Sequence, residues 1–470
     1  MEFSKDILID KADMILHEAE KLGTSQVEVS ITLANTALTR LANSIIDQNV
    51  AEKQVNIIII VYYGKKRGSI SADIFDTDSL KQAVVKAAKI AKITPEDADF
   101  DSLPQPRPYS SELKSFGLIS KKTLEVTPEQ RAECAQLAIN EAHEIDKRIK
   151  AVSGAISNKT QEKLIKNSLG IETFDVRTES YINLTISGND HKEETAGWSA
   201  DYKRDFSQLQ VSKVTQRAAQ KAINGFGAKI IEPGEYEVIL EPAATGGLIS
   251  MMTFYGFSAR SYQEYRSFLR DKIGEKLFSD KLHFWSNPLD GRGMYASVFD
   301  GEGFPTAKLD LVNRGIVKAL AYDTLTASKD GVESTGHNTK HQLLLRLGLG
   351  DSIPLPNHIF MKEGDSDVDE MISETRKGIL VTHFHYQNPV NPAKGVFTGL
   401  TRDGTWLIEN GKVKYPLKTL RYTDTVTRFF KNIDLIGKYQ KLQDGYEWIL
   451  QGMYPPMKLP SFKFTSSTEQ

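Results

Sequence analysis

"YEVILEP", residues 236–242, and "LISMMTFYGFSARSYQEY", residues 248–265, together read as a strand feeding a buried helix. The first is rich in residues that suit extended chain. In the second, Leu248, Met252 and Tyr255 recur at helical spacing, while Met251, Phe254 and Phe257 cover much of the remaining surface. No charged side chain appears before Arg260. A helix that is apolar all round belongs in a core or a subunit interface, and nothing in it could deprotonate a water. Just upstream, "AKIIEPGEYEVILEP" offers a Pro-Gly turn at 233–234, where the character of the chain changes.

Before that turn long helices alternate with strands. "KDILIDKADMILHEAEKLG" has an apolar face ended by Gly23, and "DTDSLKQAVVKAAKIAKI" opens on capping residues. A helix is predicted from about Pro128 to Arg148, and another over 206–225. "QVEVSITLA" alternates like a half-exposed strand, and residues 57–61 of "VNIIIIVYY" are apolar on both faces, as in a central strand. "LTRLANSIIDQNVAEK" lies between the two, and the proline-rich, acidic 94–111 stretch reads as loop. From about residue 290 short strands and turns dominate, with hairpin turns expected at Asp300-Gly301, Asn313-Arg314-Gly315, Arg402-Asp403-Gly404 and Glu409-Asn410-Gly411. The expected fold is α/β (α+β) in two domains: an N-terminal α/β layer domain over 1–230 and a β-rich C-terminal domain over 231–470.

The 470 residues are 40% hydrophobic and 26% charged, ordinary for a folded globular protein. With 59 Lys+Arg against 61 Asp+Glu there is no positive excess to neutralise phosphates, which argues against nucleic-acid binding. The single cysteine, Cys134, excludes an intrachain disulfide and a Cys-rich zinc site, and its helical context reads as a half-buried small apolar residue. The N-terminus lacks the apolar core of a secretory signal, and no apolar run approaches the length that spans a bilayer, so a cytoplasmic protein is expected.

Catalytic constellations are sparse. His-Glu occurs at 17–18 and 143–144, but no second histidine follows four or five residues on. His337 and His341 are four apart in a loop-like segment, and His383 and His385 are two apart, on one side of a strand. Together the four could hold one metal ion. There is no Gly-x-Ser-x-Gly elbow, and "GRGMYASVFDGEG" lacks the spacing of a phosphate-binding loop.

The order of segments nevertheless resembles the TldD/TldE (PmbA) family, once described as modulators of DNA gyrase and now regarded as zinc-dependent peptidase subunits. The carriers are "TALTRLANSIIDQNVAEK" with Arg40 and Asn43, "YEVILEPAATGGLI", "DKIGEKLFSDKLHFWSNP", "ASVFDGEGFPTAKLDLVNRGIVKALAYDTLTA", "STGH" and "NPAKGVFTGLTRDGTWLIENGKV". The resemblance implies paired subunits that cleave peptides in an enclosed chamber. It also implies, for TldD-type subunits, a His-Glu-x-x-x-His motif on the helix after the "ILEP"-like strand and a zinc-binding cysteine near the C-terminus. Here that helix has no histidine and "MYPPMKLPSF" no cysteine, a departure that matches the TldE/PmbA branch. The expectation is therefore a subunit with no catalytic residues and no cofactor of its own, paired with a zinc-bearing TldD-type subunit or with itself and handling unfolded peptide. Ser334, Thr335, Gly336 and His337, with Arg402, Asp403 and Gly404, are candidates to line a peptide groove by main-chain hydrogen bonding. The alternatives are a self-sufficient metallopeptidase built on the four histidines, and a non-enzymatic binding module acting on gyrase or another nucleic-acid machine.

Overall fold

A computed structural model describes residues 4–115, 117–341, 344–345, 347–444 and 450–467. The first half runs α1 (Lys5–Lys21), β1 (Gln26–Ala42), β2 (Ile45–Tyr63), β3 (Lys66–Ala72), α2 (Thr77–Ile93), α3 (Lys121–Leu124), α4 (Pro128–Ile145), β4 (Ile149–Asn167), β5 (Glu172–Asn189), β6 (Glu194–Lys203) and α5 (Val211–Asn224). Its six strands form one antiparallel sheet in the order β3-β2-β1-β4-β5-β6.

"LTRLANSIIDQNVAEK" extends both of the strands it joins. Asn43 and Ser44 take φ of 53° and 62°, the two-residue geometry that matches strand twist, so the hairpin turns there and nowhere else along the segment. The helix predicted to reach Arg148 stops at Ile145, because extended Asp146 accepts the Arg148 backbone N–H instead of continuing the helix. At its start the Thr127 and Gln130 side chains close a capping box around Pro128. Cys134 is half-buried against this layer, as expected.

The two faces of the sheet have different fates. Val29, Ile31, Ile57, Ile59 and Val61 pack under α1 and α2, and Ile156, Ile182, Leu184 and Ile186 lie in the core shared with α4 and α5. On the opposite face Ile58, Ile60 and Tyr62 are covered by Phe100 and Leu103, with Leu325 of the second half packed beside them. Burial of residues 57–61 on both faces is thus real, although β2 lies next to the edge strand. The rest of that second face is largely polar, and the second half of the chain docks on it.

The second half holds two larger sheets. One has the order β10-β9-β8-β13-β20-β19, from β8 (Phe284–Ser286), β9 (Leu309–Asn313), β10 (Ile316–Val317), β13 (His358–Met361), β19 (Lys441–Asp444) and β20 (Gln451–Tyr454). A small ladder joins β11 (Asn338–Lys340) to β12 (Ser352–Pro354). The other contains β7 (Gly234–Leu240), β14 (Lys377–Asn391), β15 (Val396–Glu409), β16 (Lys412–Pro416), β17 (Leu420–Thr425), β18 (Leu435–Ile436) and β21 (Met457–Ser467). Pairings β14–β7, β7–β21, β21–β17, β17–β15 and β15–β14 close into a ring, which leaves those five strands no free edge. Stacked Phe384, Phe429 and Phe462 rings, with Tyr422 edge-on, belong to the adjoining core.

Two of the four expected hairpin turns are present. Arg314-Gly315 joins β9 to β10 and Asn410-Gly411 joins β15 to β16, each pair at positive φ. Arg402-Asp403-Gly404 instead lies inside β15 as a bulge: the register slips between Val381 and His383 opposite it, and Asp403 and Gly404 take φ of 52° and 134°. Asp300-Gly301 opens a small loop closed by a single Phe299–Pro305 bridge, because the Asp300 side chain accepts the backbone N–H groups of Glu302 and Phe304. Largely antiparallel sheets, with parallel pairs only at β13–β20 and β14–β7 among the described strands, and segregated helices make this an α+β fold in two parts, held together by Lys340–Glu28, Arg67–Asp351 at 2.5 Å and Lys221–Glu241 at 2.6 Å.

Candidate functional site

β7 delivers the chain into α6 (Pro242–Gly256), with Glu241 as N-cap residue and Pro242 pre-set for the first turn. The helix starts six residues earlier than the 248–265 span expected from sequence and ends sooner. Its end is set by Ala321, which donates to the Phe257 carbonyl and accepts from Ala259, pulling Ser258 into a bridge before α7 (Ala259–Gln263) begins. Leu248, Met251, Met252, Phe254 and Phe257 are all buried in the large core of the second half, so the apolar surface is consumed within the chain. α6 carries no His, Cys, Asp or Glu. Its polar groups are hydroxyls: Ser250 Oγ lies 3.2 Å from Tyr454 Oη, while Thr245 and Thr253 Oγ1 are buried without a partner.

The four histidines do not converge. His337 and His341 flank the β11 strand, so they never share a helix face, and both line a cavity between the two halves. His383 and His385 lie on β14. His383 Nε2 is 3.0 Å from Asp403 Oδ2 and its ring lies tilted against Trp198 at 4.7 Å, while His385 packs against Tyr386. Among the described residues no three His, Cys, Asp or Glu side chains are grouped to hold a metal ion. His17 and His143 are on α1 and α4, as expected for surface histidines of helices; His143 Nε2 meets Ser44 Oγ at 2.9 Å.

The two turn candidates also separate. Gly336 and His337 line the cavity between the halves, whereas Ser334 and Thr335 turn their hydroxyls back onto the Tyr322 carbonyl. Arg402, Asp403 and Gly404 line a different groove, opposite Glu193 and Glu194. They form no common channel. The Arg402–His383–Asp403 group is a local charge cluster in which the Asp403 carboxyl is held below its usual range, burial being outweighed by the His383 hydrogen bond and the nearby cations.

The cavity that holds His337 has a feature the sequence reading missed. On its floor, β4 and β5 set Lys159 opposite Glu179, Gln161 opposite Arg177 and Lys163 opposite Asp175. In "TFDVRTES" every second residue is charged or polar and in "NKTQEKLIKN" residues 158–163 are polar without a break, which was the available signal: a central strand with a charged, half-buried second face needs a reason. Lys159 pairs with Glu179 at 2.8 Å. Burial brings Lys163 down to about 8 and raises the Asp175 carboxyl. Above the floor, His337 Nδ1 is 2.8 Å from the Thr335 carbonyl, and burial lowers this imidazole to about 4. Asp300 accepts backbone N–H groups from Glu302, Phe304 and Asn338, and its carboxyl is nonetheless raised to about 6 by burial.

Family models described as the PmbA/TldA metallopeptidase central domain and C-terminal domain match residues 121–226 and 233–467. The chain belongs to the PmbA/TldD metallopeptidase family. Curated relatives include a metalloprotease of Methanocaldococcus jannaschii, 23% identical over 397 residues covering 83% of this chain and 84% of that one. Another is a metalloprotease PmbA homologue of Haemophilus influenzae, 24% identical over 377 residues covering 80% and 79%. The solved structure of TldE from Thermococcus kodakarensis superposes with a TM-score of 0.86 over 97% of this chain and 100% of that one, at 23% identity. Among the described residues no helix is long and apolar enough to cross a membrane.

Zinc, the metal that a metallopeptidase implies, prefers thiolate, imidazole and carboxylate donors. α6 presents hydroxyls, thioethers and aromatic rings in a tightly filled core, where a Cβ on Gly246 would come within 2.7 Å of the Tyr454 ring. The residues of this helix do not fit the ion.

Proposed function

We propose that this chain is a TldE/PmbA-like subunit of a TldD-type metallopeptidase complex, acting in the proteolysis of unfolded peptides while the zinc-bearing subunit performs the chemistry. The observation that carries this reading is α6: a helix that follows the "ILEP" strand, is buried on all sides and offers neither a metal ligand nor a general base. Hydrolysis of an amide by an activated water requires a group to polarise the carbonyl and a base within hydrogen-bond reach, and this helix supplies neither. The role left to the chain is to shape the chamber and to hold substrate in an extended form.

The test is elemental zinc analysis of the purified chain together with cleavage of an unfolded peptide, with and without a TldD-type subunit. The expected result is cleavage only in the mixed preparation and no stoichiometric zinc in this chain. Stoichiometric zinc with cleavage by the chain alone overturns the proposal.

A further inference from the structure

Two cavities of about 140 and 340 Å³ adjoin between the polar face of the six-stranded sheet and the second half, and Lys159, Tyr295 and His341 line both. His341 is exposed and marks where solvent reaches them. At roughly 30 Å³ per water the smaller one holds about four or five water molecules, the room taken by one amino-acid residue and too little for a nucleotide or flavin.

The wall of the smaller cavity combines unmatched donors with unmatched acceptors. Lys163 and Arg177 rise from neighbouring strands on one face, and among the described residues neither has a carboxylate within ion-pair distance. Arg177 donates to Gln161 Oε1 and lies over the Tyr295 ring, and its Nε is buried without a partner. Among the described residues Lys163 has the Phe299 ring 5.9 Å away, with Asp300 and Asp175 acting on it from beyond ion-pair distance. On the other side, His337 is 3% exposed. The Thr335 carbonyl beside Nδ1 can only accept, so Nδ1 carries the proton and Nε2 presents a lone pair, buried with no partner among the described residues. Asn338, 4% exposed, likewise leaves Oδ1 buried and unpaired. Buried groups of this kind are costly unless something satisfies them.

Free cations on one wall and free acceptors on the other are the complement of an α-carboxylate with an N–H on the next atom. We propose that the smaller cavity receives the C-terminal residue of a peptide, its carboxylate between Lys163 and Arg177 and its amide N–H on His337 Nε2 and Asn338 Oδ1. The preceding residues run into the larger cavity past Tyr181, Tyr202 and Tyr295. Asp175 and Asp300 share the wall and repel a multiply charged anion such as phosphate, which a singly charged carboxylate with its own donor tolerates better. This rests on the peptide-handling role proposed above and adds the end of the chain that is held.

The test is calorimetric titration of the full, unaltered chain, without a zinc subunit, using trialanine, trialanine amide and alanine. Trialanine binds saturably, and the amide and the free amino acid bind at least about tenfold more weakly, the loss expected for one charge-assisted hydrogen bond. Lys163→Met and Arg177→Met each weaken trialanine by at least about tenfold, and Lys163→Arg stays within about threefold, with folding of each variant checked by its melting temperature. Equal affinity for acid and amide, no saturable binding, or folded Met variants with unchanged affinity overturns the site. Alanine binding as tightly as trialanine overturns the peptide source and assigns the cavity to a free amino acid. Saturable binding by a chain that never supports cleavage removes the subunit role and leaves the site standing; partner-dependent cleavage without such binding does the reverse.

Discussion

His337 is held neutral by its surroundings, and so is His358, which is 1% exposed with Nε2 3.0 Å from the Asp290 carbonyl. Burial lowers both to about 4. In the unfolded chain they titrate near the ordinary histidine value, so between about pH 6.5 and 4 the unfolded state binds the extra protons. Stability is therefore fully present above about pH 6.5, is lost as pH falls towards 4, and changes no further from this source below that. Each residue is expected to contribute about 3 kcal/mol to the decline. Across this range the wild type is expected to lose about 3 kcal/mol relative to His337→Gln in urea unfolding, a difference from which the opposing contribution of the raised Asp300 carboxyl cancels. Gly336 next door sits at φ 69°, and a Cβ there would lie 2.1 Å from the Pro305 carbonyl oxygen. Gly336→Ala is thus expected to cost at least about 2 kcal/mol in the same assay. At this scale the "STGH" turn was legible because glycine and histidine stand out in a loop. Lys163 and Arg177 were not, since a charge on a strand ordinarily means a solvated face and only the docking of the second half buries this one.

Secondary-structure elements show where local chemistry suffices and where partners decide. Asn410-Gly411 and Asp403-Gly404 have nearly the same composition and both take positive φ, yet one is a hairpin turn and the other a bulge. The difference lies in β14, whose register opposite residues 402–405 skips one position, information that no window around the glycine contains. α6 is the contrary case: its apolar sequence announces burial, though its end depends on Ala321, far along the chain. A core helix should answer to packing alone. Met252→Ala is expected to lower stability by about 3 kcal/mol in urea unfolding while leaving the partner-dependent cleavage per folded molecule unchanged. A drop in that specific activity would show that the helix does more than fill space.

For the molecule as a whole, the six-stranded sheet and the second half of the chain meet across a polar seam. Its most enclosed ion pair is Lys340–Glu28, with both side chains at 3% exposure or less. Removing one partner strands a charge in the interior, so Lys340→Met is expected to cost about 3–5 kcal/mol, and adding Glu28→Leu to recover most of it. The Arg107–Glu333 pair, half-exposed or more on both sides, provides the contrast: Arg107→Ala should cost under about 1 kcal/mol. Denaturant titration of the three variants checks both. The two-part organisation could be read from the shift in character at the Pro-Gly turn, whereas the seam could not, because its Lys340–Glu28, Arg67–Asp351 and Arg107–Glu333 pairs each join residues more than two hundred positions apart.

The closed ring also dictates an order of events at the ribosome. Every strand of the first sheet lies between residues 26 and 203, so that sheet can assemble as soon as its segment has emerged, as domains commonly do during synthesis. β7, made directly afterwards, cannot reach its final pairing: one neighbour begins at Lys377 and the other, β21, at Met457. Throughout that interval Val238, Ile239 and Leu240 of β7 lack the core that buries them, and the charged floor of the first sheet waits for the residues between 288 and 357 that cover it. The nascent chain is thus most exposed to misassociation in its middle period, which ends for the charged floor before it ends for β7, whose last neighbour is β21.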